Sequence, residues 1–163
     1  MMRIVFHYAY KVGATNNGTT IGVDRDQSMN KDGNIMAYTR NDTNIRVLVK
    51  DGHFSEYIDQ IYNMMNTIRH EKYHTELKGN GNNKVKSLNE EVNVIMKEMQ
   101  SPDFKMTTES FQNGTCGYLQ EKLGDLYKVS PEKYDKYIEK ASSLLEQYGA
   151  NGIPNYVDGY AIF

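Results

Sequence analysis

The run His70-Glu71-Lys72-Tyr73-His74 is the part of this sequence best suited to chemistry. On a helix, residues four apart lie on one face, one turn above the other. Two imidazoles so placed can both reach one zinc ion. Glu71 leans toward the same groove, where its carboxylate can hydrogen-bond a water at the metal and take its proton. With 4 histidines in 163 residues, multiplying residue frequencies gives on the order of 0.01 accidental matches. The competing reading is a pair of surface histidines on a solvated helix. Against it, both histidines follow Ile68 on the border of an apolar stripe rather than opposite it.

A catalytic zinc needs a third protein ligand, with the fourth position kept for water. The segment after the motif offers Glu90 and Glu91. With Leu88 at zero and about 100° per residue, Val92, Val94, Ile95, Met96 and Met99 centre near Leu88 itself. Glu91 then falls at about 300°, on the border of that face, and Glu90 at about 200°, on the solvent side. Glu91 is the better ligand and Glu90 its solvated neighbour. His7 and His53 are poorer candidates: His53 sits before the same helix, more than two turns from His70, and His7 lies in a strand-like segment.

These residues need elements to hold them. Arg3 to Tyr10 reads as a strand, followed by Thr19 to Val23, Asn34 to Thr39 and Asn44 to Lys50. In the last of these, Ile45, Val47 and Val49 alternate with Arg46, Leu48 and Lys50, the period of a half-buried strand. Asp24 to Gly33 reads as an exposed loop. After Asp51-Gly52 the period becomes helical. Ser55 is the expected N-cap of a helix carrying Ile58, Ile61, Met65 and Ile68 and ending near Leu77, before a loop at Gly79 to Asn83. A second helix fits Ser87 to Gln100. A third, interrupted by glycines, fits Thr108 to Tyr127, and a fourth starts at Ser130-Pro131 and closes at Gly149. Tyr156 to Phe163 reads as a last strand or an irregular tail. Strands before helices make an α+β fold: an N-terminal sheet (1–50), then the active-site helix and a helical C-terminal part (53–149), in a single domain over 1–163.

Composition excludes other classes. Net charge is −2, so there is no global basic field for nucleic acid. No run approaches a membrane span. The one cysteine, Cys116, excludes an intramolecular disulfide and a cysteine zinc ribbon, and with no histidine nearby in sequence it reads as an inert, partly buried thiol. Met1 to Tyr10 lacks the pattern of a signal peptide. The compartment stays open, and export would be by another route or as part of something longer.

A His-Glu-x-x-His helix followed by a Glu on the next helix is the layout of the gluzincin metallopeptidases. From Ile68 to about Leu119 the sequence also resembles the zincin-like domains at the C-termini of bacterial RHS-repeat and related polymorphic toxin proteins. The resemblance rests on Glu91-Val92-Asn93-Val94-Ile95, Ser101-Pro102-Asp103-Phe104, Thr107-Thr108 and Tyr118-Leu119, with Val94 where those domains usually have Ala. It covers roughly a third of the chain and itself implies Glu91 as third ligand. It implies a peptide or protein substrate, zinc held by His70, His74 and Glu91, and Glu71 as the base. An inhibitor or immunity protein is a further expected partner. Two alternatives stand beside peptide hydrolysis. One is an inactive zincin-fold module for binding or immunity, against which Glu71 argues. The other is a toxin whose activated water attacks something other than a peptide.

Overall fold

The computed structural model describes residues 1–16, 18–28, 30, 35–77 and 84–150, with 84–85, 155–157 and 160–162 described as backbone. The chain resolves into two compact units, Met1–Lys78 with Met106–Thr108, and Gly79–Lys105 with Glu109–Phe163.

The first unit contains helix α1 (Met2–Lys11), strands β1 (Thr20–Asp24), β2 (Ala37–Arg40) and β3 (Asn44–Leu48), and helix α2 (Ile61–Leu77). The sheet order is β1-β3-β2, with β1 parallel and β2 antiparallel to the central strand. Asn41 and Asp42 turn the β2–β3 hairpin with φ of 53° and 58°. Asn and Asp are the side chains that tolerate this left-handed region best after glycine. Ile45 and Val47 are fully buried, as their alternation predicts, and Leu48, expected on the outer side, is buried too at the strand's end.

The N-terminal segment corrects the sequence reading. Arg3 to Tyr10 lies in a helix, not a strand, so the sheet begins at Thr20. Val5, Ala9 and Val12 recur at helical spacing and are buried, while Ile4 and Phe6 stay about half exposed at 48% and 54%. Burying that one face against α2 and β1 outweighs the β-preference of Ile4, Val5 and Phe6.

Helix α2 also starts later than its sequence suggests. The amides of Ile58 and Asp59 both donate to the Ser55 carbonyl at 3.0 Å, and the Tyr57 amide to its hydroxyl at 3.3 Å. Ser55 therefore closes a separate turn, and the helix begins at Ile61, which is exposed. The buried face runs through Met64, Ile68, Glu71 and Thr75, with Asn63 and Asn66 also buried. Asn63 is only 1% exposed and is fully engaged: its Nδ2 donates to the Tyr57 carbonyl (2.7 Å) and the Thr108 hydroxyl (3.0 Å), and its Oδ1 accepts from the Thr108 amide (3.0 Å).

The second unit is helical: α3 (Lys84–Met99), α4 (Glu109–Val129) and α5 (Pro131–Gln147), followed by a hairpin of β4 (Asn155–Val157) and β5 (Tyr160–Ile162). All three helices pack on one another around Val92, Ile95, Met99, Phe104, Leu119, Leu123, Leu126 and Leu145. Helix α4 is continuous in spite of Gly114, Gly117 and Gly124, because burial of one face compensates for their low propensity. Pro131 opens α5, and beyond its end Gly149 takes φ of 71° while the Ala150 amide reaches back to the Leu145 carbonyl at 2.9 Å. The expected loop at Gly79 to Asn83, and residues 29 and 31–33 of the loop after β1, lie outside the described residues. No helix among the described residues is long and apolar enough to cross a membrane.

Candidate metal centre

His70 and His74 lie on α2 where its buried face meets the surface, and both are half-buried. Their Nε2 atoms approach to 3.3 Å, with ring centroids 5.0 Å apart and planes inclined at 64°. Two nitrogens bound at about 2.1 Å to one tetrahedral ion stand about 3.4 Å apart. A shared N–H···N hydrogen bond spans a similar distance. In either case both rings turn a nitrogen toward one point, as a pair of ligands to a single ion does. The residues present therefore fit a metal.

Glu71 sits between them on the buried side, 8% exposed. Its Oε2 accepts a hydrogen bond from the Thr39 hydroxyl at 2.8 Å, and the same hydroxyl lies 3.0 Å from the Glu71 carbonyl oxygen. A buried carboxylate without such a partner would be costly. Thr39 belongs to β2, an edge strand of the sheet, and sequence reasoning missed it. Nothing in a single sequence marks a threonine that meets its partner across 32 positions. Lys72 and Glu76 pair on the other side of α2 at 3.2 Å. Tyr73 is half-buried.

Glu91 is carried by α3 in the second unit and is half-buried. Glu98, two turns further along the same face, is 4% exposed, so that face turns inward. Glu90, expected on the solvent side, is half-buried as well. The wheel assumed one covered stripe, whereas α3 is flanked by both α4 and α5. On its α5 side the Tyr137 hydroxyl donates to Asn89 Oδ1 at 2.9 Å and accepts from Asn93 Nδ2. Burial pushes the Tyr137 hydroxyl above its ordinary pKa, against these two hydrogen bonds. At the end of α3, Tyr148 donates to the Met99 carbonyl at 3.0 Å. His7 and His53, the poorer candidates, are exposed, His7 on a helix rather than a strand. Cys116 is buried, and burial raises its thiol pKa, which suits a packed and unreactive side chain.

Comparison with protein families places the chain in a class. A family described as metallopeptidase toxin 2 matches residues 1–157, nearly the whole chain and both compact units. The chain belongs to that metallopeptidase toxin family. Membership implies a metal cofactor and a protein substrate. No curated protein matched the chain, and no solved structure did.

Proposed function

We propose that this chain is a zinc-dependent peptidase acting as a toxin, with His70, His74 and Glu91 as the protein ligands of the metal and Glu71 as general base. The observation that carries the reading is the 3.3 Å approach of the two Nε2 atoms on a helix that also holds a buried carboxylate between them. In this reading Glu91 supplies the third protein ligand, as a carboxylate able to hold a metal. Two imidazoles and one carboxylate are a donor set that suits zinc.

A metal held there would supply Lewis acidity, lowering the pKa of a water and steadying the oxyanion of a peptide carbonyl. The chain's own part is proton handling. Glu71 accepts the proton of the attacking water on its carboxylate and returns it to the nitrogen of the leaving amine. Its burial keeps competing water away from the carboxylate and strengthens its interactions. His70 and His74 must present neutral Nε2 atoms to a metal, so protons and metal compete for this pair.

The test is hydrolysis of a quenched-fluorescent peptide library by the zinc-loaded protein, beside Glu71→Gln. Cleavage by the wild type, with loss of at least about 100-fold in the variant, is the expected result. Equal cleavage by both proteins would remove Glu71 from the chemistry. Within an expressing bacterial cell the wild type should slow growth and the variant should not. An inhibitor or immunity protein, if it acts at this site, should protect the wild-type cell.

A further inference from the structure

We propose that Thr39 is a positioning residue for the general base, a role that rests on the reading of Glu71 given above. Its hydroxyl reaches both Glu71 Oε2 (2.8 Å) and the Glu71 backbone carbonyl (3.0 Å). A hydroxyl carries one hydrogen and donates it to one acceptor at a time. The ionised carboxylate is the stronger acceptor and also the nearer one, so the bond goes to Oε2. A glutamate left to itself samples many rotamers, and holding it in one conformation costs entropy. A hydrogen bond to a charged group is among the stronger ones in proteins and offsets that cost. With Oε2 tied, the carboxylate plane stops turning and Oε1 takes a defined direction.

The anchor itself is rigid. Thr39 pairs with Ile45 across the antiparallel β2–β3 ladder, and paired residues project to the same face of a sheet. Ile45 is fully buried on that face, and Ala37, two residues before Thr39, is 8% exposed. α2 packs against both β2 and β3. A β-branched side chain on such a strand is restricted at χ1. The hydroxyl is therefore placed by the sheet and not by α2, which lets strand β2 set the aim of a side chain on the neighbouring helix. In the first unit this joins an edge strand of the sheet to the group that would handle the proton.

The experiment compares wild type, Thr39→Val and Thr39→Ser on the best substrate of the peptide library, with zinc content and thermal midpoint measured on the same preparations. Valine keeps the branched shape and loses the hydroxyl, whereas serine keeps the hydroxyl. The expected result for Thr39→Val is a kcat lower by about 10- to 100-fold with KM within about 2-fold, because misaiming a proton acceptor by about an ångström costs on that order. Zinc content should be unchanged, and Thr39→Ser should recover most of kcat. A Thr39→Val protein with wild-type kcat overturns the proposal, even if its thermal midpoint falls, since the bond would then serve stability alone. Equal loss in the serine variant also overturns it. Should the wild-type protein bind zinc and cleave no peptide, the reading of Glu71 itself fails and the proposal falls with it.

Discussion

Asn63 offers the sharpest test of how the first unit is held together. It is 1% exposed and makes three hydrogen bonds, to the Tyr57 carbonyl, the Thr108 hydroxyl and the Thr108 amide. Those bonds fix the segment before α4 against the first turn of α2, two turns before His70. At about 1 kcal/mol net per bond the network is worth roughly 3 kcal/mol. Two effects adjust that figure in Asn63→Ala. Thr108 is exposed, so its freed amide recovers water and the full cost of an unpaired group does not apply. The small cavity left at a buried site adds to the loss. The expected destabilisation is about 2–3 kcal/mol, or a fall of roughly 5–10 °C in the midpoint for a chain of this size. Urea unfolding gives the free energy, and amide hydrogen exchange at Thr108 gives its location. Asn63→Asp separates the contributions. It keeps the acceptor for the Thr108 amide but loses both donors and brings a carboxylate toward the Tyr57 carbonyl. It should destabilise at least as much as alanine while Thr108 keeps more of its protection. A loss below about 0.5 kcal/mol in Asn63→Ala, with Thr108 exchange unchanged, would refute the reasoning.

Other expectations follow from single contacts. The Tyr38 hydroxyl donates to Asp24, and this bond, together with the Asp26 amide donating to the other carboxylate oxygen, holds the Asp24 pKa below its usual value while that of Tyr38 is raised. A lowered carboxylate contributes stability above its unfolded pKa of about 4 and loses it as pH falls through the folded value. A raised phenol contributes below about 10 and loses that contribution as pH rises through its folded value. The stability difference between wild type and Tyr38→Phe should therefore be widest near neutrality and shrink at both extremes, as urea titrations across pH will show. Gly117 is exposed in the middle of α4, and a Cβ added there meets nothing within 4 Å. Gly117→Ala should raise stability by about 0.5–1 kcal/mol, readable as a higher urea midpoint. Cys116 is 2% exposed with its thiol pKa raised, so iodoacetamide should label it in urea and not in the native protein.

Much of the candidate site was legible because its spacing is local. His70, Glu71 and His74 stand within one helical turn and a fraction, and any helix through Ile68 must gather them on neighbouring faces. The helices from α3 to α5 announce themselves by periodicity, Pro131 and Gly149. The first helix did not, since Ile4, Val5, Phe6 and Tyr8 are strand-forming types, and the spacing of Val5, Ala9 and Val12 that carries its buried face is only three residues long. Ser55 misled for a related reason: an oxygen that can cap a helix can equally close an isolated turn. Thr39 was beyond reach, because its role arises only when β2 is laid beside α2.

Bound metal in the purified protein tests the central claim most directly. The protein is incubated with zinc and dialysed, and the metal per chain is measured for wild type, His74→Ala and Glu91→Ala. The account predicts about one zinc per wild-type chain and loss in both variants, as expected when one of three protein ligands is removed. A wild-type protein that holds no zinc would contradict it outright, and zinc retained by Glu91→Ala would leave the histidine pair standing and remove Glu91 from the site.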